Sequence, residues 1–264
     1  HNDKLFLKKF KERRKKGLTM NDFYRKNGYL VFKSVIDKKE ATSQLKHFFH
    51  LKETFSNIPP DEISSHLLQN DPQWYELISS SSMLDVAEMF IGKDIAHFYS
   101  RYFAKSPHIG RAVPWHQDGA YYPLDPIRLC TLWVSLTHST PNNGCLRIIP
   151  GSQHSKLREI KKSDDPKSIL KRVMDSDNIG EEKAVDIITE PGDVVIIDPK
   201  VIHSSNINKS SEWRIGLAVR YIPTDVKITW QSLYGSPWDC AFMLRGMTKN
   251  NEFNNYLPAP QRRK

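Results

Sequence analysis

The residues of this 264-residue chain best suited to chemistry lie in the stretch Trp115-His116-Gln117-Asp118-Gly119. His116 and Asp118 stand two positions apart. On an extended segment such positions share a face, so an imidazole and a carboxylate can converge on one ion. Alone the pair is a weak signal, because a surface histidine beside a capping aspartate gives the same text. A second histidine, His203, ends the run GDVVIIDPKVIH, where an apolar strand followed by proline can present a ligand. Two histidines and one carboxylate form a facial set that suits iron(II) and leaves three cis positions open. Zinc more often takes a closed site or keeps a single water. Arg214 follows His203 by eleven residues and opens another apolar run. Its guanidinium can pair two-pronged with a carboxylate. Ser205 shares the face of His203 if the chain stays extended, and its hydroxyl can add a hydrogen bond. Taken singly, Arg214 reads equally well as a strand-edge ion pair.

The elements that must position these residues fall into two textures. Thr19 reads as a helix N-cap, followed by MNDFYRKN and a stop at Gly28. YLVFKSVI (29–36) reads as a strand. Residues 37–57 place Ala41, Leu45, Phe48, Phe49 and Leu51 at helical spacing, and Pro59 and Pro60 break it. Two short helices are expected in 61–93, one starting near Gln73 and one over SSSMLDVAEMFIG (80–92). From about residue 96, short apolar runs alternate with Pro, Gly, Asn and Asp clusters. IAHFYSRYF, LCTLWVSLTH, CLRIIP, DVVIID and RIGLAVRYIP read as strands of an antiparallel sandwich or barrel. PNNG (141–144) reads as a hairpin turn between two of them. Residues 152–190, charged and with one helical patch, read as an insertion. The expected organisation is a basic tail (1–18) and one mainly β domain with added helices (19–264).

Composition narrows the function classes. Hydrophobic residues make up 39% of the chain and aromatics 11%, too much for a disordered chain. No apolar run is long enough for a membrane span. Three cysteines far apart (Cys130, Cys145, Cys240) make neither a disulfide framework nor a zinc ribbon. A reducing compartment, the cytoplasm, is the expectation, supported by the lack of a secretory signal and of a C-terminal peroxisomal tripeptide. The formal charge of +9 sits in the tails. Residues 4–16 hold eight Lys or Arg against one Glu, the last three residues are all basic, and 17–261 sum to zero. Leu5, Phe6, Leu7 and Phe10 interleave with the tail's lysines, a pattern open to an amphipathic helix. Such a tail can meet nucleic acid or an anionic membrane, but a solvated or helix-packing tail is preferred.

His116, Asp118, His203 and Arg214 together resemble the iron(II)/2-oxoglutarate-dependent dioxygenases, specifically their phytanoyl-CoA dioxygenase-like branch. PWHQDGAYYPLDPIRLCTLWVSLTHSTPNNGCLRIIPGSQH (114–154) is similar to the centre of that branch. PGDVVIIDPKVIHSSNINKSSEWRIGLAVRY (191–221) is similar to its second half, and NDFYRKNGYLVFKSVIDKKE (21–40) to its entry helix and strand. The resemblance implies a double-stranded β-helix, or jelly-roll, with its core over about 95–223. It implies Fe(II), 2-oxoglutarate and O2 as cofactors, with the distal carboxylate of 2-oxoglutarate on Arg214 and Ser205. It also places Trp133 in the cosubstrate pocket. Tyr99, Arg101 and Phe103 alternate along one strand, which in relatives supplies cosubstrate and substrate contacts. The reaction implied is hydroxylation of an aliphatic C–H of a small molecule, with release of succinate and CO2. Related halogenases carry Gly or Ala where this chain has Asp118.

Lys105 is placed at the mouth of the site. Gln117, Tyr121 and Tyr122 flank the metal loop as substrate contacts, with loop packing as the competing reading. His138 follows the Trp133 strand and is a weaker pocket candidate. His47 and His50 sit three apart on a predicted helix without a third ligand nearby. The substrate classes open to the branch are acyl-CoA thioesters, amino-acid-like molecules, phosphonates and natural-product scaffolds. One competing reading is a nucleic-acid demethylase of the same cofactor class. It draws on the basic tail and on Arg220, six residues after Arg214, which resembles the paired arginines of that group. The neutral body and the PNNG…PGS texture argue against it. Another is a non-enzymatic jelly-roll binding protein or a cupin with another metal. Nothing in the sequence specifies an oligomeric state.

Overall fold

A computed structural model describes residues 17–165, 168–229, 241–248 and 254–261. The basic tail expectation, up to residue 16, and Cys240 lie outside them. Helix α1 (Gly17–Asn27) stops where expected, because Gly28 adopts φ +77° and its N–H closes back onto Tyr24 O. Thr19, expected as the N-cap, lies inside the helix. Strand β1 (Tyr29–Phe32) is shorter than the apolar run that encodes it. The run turns at Ser34, where φ is 51°, and Val35 and Ile36 both donate to Gly192 O. Helix α2 (Lys38–Thr54) begins at Asp37, whose carboxylate accepts from Glu40 N. Three short helices follow: α3 (Ser65–Leu68), α4 (Pro72–Ile78) and α5 (Ser81–Ile91).

The β portion comprises β2 (Ile95–Lys105), β3 (Val113–His116), β4 (Leu124–Asp125), β5 (Cys130–Ser135) and β6 (Leu146–Ile148). Then come β7 (Ile160–Lys162), β8 (Arg172–Met174), β9 (Val185–Ile187), β10 (Val194–Ile197) and β11 (His203–Ser205). The last are β12 (Arg214–Pro223), β13 (Lys227–Ile228) and β14 (Phe242–Arg245). A six-stranded sheet runs β1-β10-β5-β12-β2-β14 and a four-stranded sheet runs β3-β11-β6-β9. Every pairing is antiparallel. β4 pairs with β13, and β7 with β8, as small separate ribbons.

Alternation along the central strands sorts side chains between two cores. Leu132 and Val134 of β5, with Leu217 and Val219 of β12, pack outward under the helices, against Phe48, Trp74, Leu77 and Met83. Trp133 and Ala218 point the other way. With Val195 and Ile197 they meet Leu146 and Ile148 of the smaller sheet. The cavity described below opens on this inner face.

Four expectations are corrected. PNNG does not close a hairpin: β5 and β6 lie in different sheets, and the turn carries the chain across. It is a short 3-10 turn, Pro141–Asn143, in which Thr140 and Asn143 cap each other. Residues 152–190 are less an insertion than part of the fold, since β9 joins the smaller sheet. His203 opens β11 rather than ending the preceding strand, because β10 stops at Ile197 and a loop intervenes. The main sheet also extends beyond 95–223, through β1 and β14.

One glycine sets how the inner face is filled. A methyl group built on Gly216 would overlap the Trp133 indole. Gly216→Ala is therefore expected to displace that ring and destabilise the chain by about 1–3 kcal/mol, the usual cost of overpacking. Urea unfolding followed by tryptophan fluorescence checks this. A midpoint unchanged from the parent would contradict the packing described.

Candidate active site

His116 is the last residue of β3 and His203 the first of β11, and their Cα atoms are partners across the ladder. The two rings lie 4.1 Å apart, centroid to centroid. Each ring donates its Nδ1–H to a backbone carbonyl, His116 to Pro114 O at 2.9 Å and His203 to Val201 O at 3.0 Å. A carbonyl only accepts, so Nδ1 is the donor in each ring and Nε2 is the nitrogen turned to the shared site. Asp118 opens a 3-10 turn, Asp118–Ala120, held by Gly119 N donating to Pro199 O. Its Oδ1 lies 3.3 Å from His116 Nε2 and 3.6 Å from His203 Nε2. Ligand atoms of the three residues all fall within 4.8 Å of one another, and all three residues are buried. Among the described residues no other group of three such side chains is so placed.

The second oxygen of Asp118 is held from the opposite sheet. Thr131 Oγ1 donates to Oδ2 at 3.2 Å, and Arg220 Nε at 3.3 Å. Burial works against ionisation of Asp118, yet Arg220 and the two histidines hold its carboxyl well below the usual carboxylate range. Burial, then the neighbouring His116, pushes His203 down to about 4, so its ring is neutral near pH 7. Two neutral imidazoles and one carboxylate are what a divalent metal needs, so the donor set fits iron(II).

Arg214 lies in the same cavity and is 1% exposed. Its Nη1 donates to Phe103 O at 3.2 Å, and its Cζ lies 5.4 Å from the Trp133 ring centroid. Among the described residues Nε and Nη2 have no partner. Burial pushes this guanidinium down to about 10. A buried cation with two unpaired donors marks a place for an anion. Ser205, Phe103 and Trp133 line the same space of about 370 Å³, as do the three metal-ligand candidates.

The remaining candidates divide. Tyr99 and Tyr122 sit over Arg220, their ring centroids 5.5 and 5.1 Å from its Cζ. Arg101 is half-buried over Phe103, with Nε donating to Asp61 O at 2.8 Å. Of the candidates, Tyr99, Arg101, Tyr122, Gln117, Tyr121 and Lys105 do not line the cavity. Gln117 is a strap instead: its amide donates to Lys200 O and accepts from Arg158 N. Tyr121 donates its hydroxyl to Arg172 O and lays its ring edge-on to His116. Lys105, expected at the mouth, is buried at the end of β2 with Nζ on Arg111 O. His138 turns outward to Glu190 at 2.8 Å, and His47 pairs with Asp71.

The sequence reading did not place Arg220 and Thr131 at the metal ligands. The signal was available. Arg220 lies an even number of positions from Arg214 on one strand, and Thr131 two positions before Trp133, so each shares its neighbour's face.

A family model described as phytanoyl-CoA dioxygenase (PhyH) matches residues 24–216. The chain belongs to the phytanoyl-CoA dioxygenase family. It is thus an enzyme of the dioxygenase class. Human peroxisomal phytanoyl-CoA dioxygenase is 27% identical over 235 residues, covering 79% of this chain and 69% of that one. A probable phytanoyl-CoA dioxygenase of Caenorhabditis elegans is 24% identical, over 77% and 74% of the two chains. Among solved structures, the epimerase SnoN in complex with Fe3+, alpha ketoglutarate and nogalamycin RO superposes with a TM-score of 0.70 at 18% identity. The match spans 91% of this chain and 98% of SnoN. The non-heme monooxygenase ThoJ gives 0.68 at 21% identity, over 92% and 87%. These likenesses establish the jelly-roll fold.

The burial of Lys105 has a measurable consequence. Desolvation, then Arg214, pushes its ammonium down to about 6, with Asp61 opposing. An unfolded lysine titrates near 10.4. Between these values the unfolded chain holds the proton and the folded chain does not, so stability rises as pH goes from about 6 to about 10. Lys105→Met is expected to fold and to flatten that slope in urea unfolding at pH 6, 7.5 and 9. Equal slopes in parent and variant would contradict the assignment.

Proposed function

We propose that this family member is an Fe(II)/2-oxoglutarate-dependent oxygenase that hydroxylates an aliphatic C–H bond of a small molecule. The observation that carries this reading is one shared cavity. Two histidine Nε2 atoms and one carboxylate oxygen converge there, beside a buried arginine with two donors that have no partner among the described residues. His116, Asp118 and His203 would hold the metal, and Arg214 with Ser205 the distal carboxylate of 2-oxoglutarate. Bound iron, 2-oxoglutarate and O2 supply the oxidation, with succinate and CO2 as co-products.

The chain's own residues bind, orient and exclude water. The Nδ1 bonds to Pro114 O and Val201 O fix both ring planes. Trp133 lies against the Arg214 guanidinium, Phe103 O accepts from its Nη1, and burial strengthens its hold on an anion. Asp118 keeps a third protein ligand in place, which favours hydroxylation over halogenation. The substrate remains within the classes of the branch: an acyl-CoA, an amino-acid-like molecule, a phosphonate or a natural product. SnoN is an epimerase, so the fold also carries reactions other than hydroxylation. We place the protein in the cytoplasm on its free, buried Cys130 and Cys145, while relatives include peroxisomal enzymes. No helix among the described residues is long and apolar enough to cross a membrane. The demethylase reading weakens here, because Arg220 is held by Asp118.

Anaerobic addition of Fe(II) and then 2-oxoglutarate to the metal-free protein is expected to produce a visible charge-transfer band. His116→Ala should abolish the band. Arg214→Ala should raise the 2-oxoglutarate requirement at least about 30-fold, the low end for removing one partner of a buried charge pair. If the intact protein gives no band, the cavity is not an iron oxygenase site, and the binding-protein reading replaces this one.

A further inference from the structure

We infer that the substrate presents a small oxyanion, a carboxylate or phosphonate, to a subsite at Arg220 beside the metal ligands, with Arg101 diagonal to it on the same sheet face. This rests on the oxygenase reading and narrows its substrate class. The inner face of the six-stranded sheet carries Arg214, Gly216, Ala218 and Arg220 on β12. Opposite on β2, Tyr99 is the partner of Arg220, and Arg101 the partner of Ala218. Arg101 is therefore diagonal to Arg220 on one surface.

Arg220 is 3% exposed and lines the cavity. Its Nε is held by Asp118, but its Nη1 is buried with no partner. The two tyrosine rings over its Cζ fix the guanidinium plane. Among the described residues Arg101 hydrogen-bonds a carbonyl, Asp61 O, and no carboxylate. The Asp61 carboxylate belongs to Arg111, at 2.6 and 2.9 Å. Among the described residues no carboxylate lies within ion-pair distance of Arg101. Iron(II) and the 2-oxoglutarate dianion cancel in charge. Two cavity arginines, Arg214 and Arg220, then face one aspartate, and the excess is left for the substrate. An acyl-CoA would bring a neutral chain to the metal and leave Arg220 Nη1 unpaired. A free acid satisfies it.

The test uses the protein loaded anaerobically with Fe(II) and 2-oxoglutarate, its charge-transfer band serving as the gate. Failure to form that band sinks the oxygenase reading itself, and the subsite with it. With the band present, acetate, methylphosphonate and neutral acetamide are titrated separately. Acetate or methylphosphonate should shift the band saturably at millimolar concentration, and acetamide should not. Whichever anion binds tighter identifies the oxyanion. Arg220→Met should weaken that binding at least tenfold. Because Arg220 also touches Asp118, Arg101→Met provides a second variant that leaves the metal ligands alone, with an expected loss of at least threefold. The inference is overturned if both anions act no differently from acetamide, or if neither variant changes their affinity.

Discussion

Asp118 has two oxygens, and the fold uses them for different purposes. Oδ1 faces the two histidine nitrogens of the four-stranded sheet. Oδ2 is fixed by Thr131 and Arg220 of the six-stranded sheet. One carboxylate thus ties the two layers together at the point where a metal would bind. With Oδ2 taken, Asp118 offers one oxygen, which keeps positions open on a facially bound ion. The buried charge of Arg220 is tolerable because Asp118 compensates it, and the ionisation of Asp118 is secured by Arg220 in return.

The rest of the cavity follows from how β12 alternates. Its outward residues anchor the sheet under the helices, and its inward residues give two arginines separated by a glycine and an alanine. Gly216 makes room for the Trp133 indole, which in turn lies beside the Arg214 guanidinium. Side-chain size at one position thus decides whether a buried cation has an aromatic wall. Two buried arginines with unpaired nitrogens would be costly in a protein built only for stability. Under the proposed reading, an acidic cosubstrate and an acidic substrate would each give one of them a partner.

Much of this was legible in the sequence. The apolar runs gave the main strands, because residues buried between a helical layer and a second sheet are apolar on both faces. The triad was legible because His116 and Asp118 are local and His203 follows a clear strand signal. The turn PNNG misled, since its residues specify a tight reversal but not which sheet receives the next strand. Gln117 and Tyr121 misled for a similar reason. Sequence proximity to a ligand does not say whether a side chain points into the cavity or ties down the loop beneath it. Lys105 reads as a surface cation by type, and only the tertiary packing of β2 against residues near Arg111 buries it. The even spacing of Arg220 from Arg214 put both on one face, but its bond to Asp118 also required the pairing of β12 with β5 and β2, a non-local fact.

The most direct test is a crystal structure of the protein grown anaerobically with Fe(II) and 2-oxoglutarate, with diffraction recorded at the iron absorption edge. The account predicts iron bonded to His116 Nε2, His203 Nε2 and a single oxygen of Asp118. It also predicts that Oδ2 stays with Arg220 and Thr131, and that the distal carboxylate of 2-oxoglutarate lies on Arg214. Iron at another site, both Asp118 oxygens on the metal with Arg220 released, or 2-oxoglutarate seated on Arg220 would contradict it.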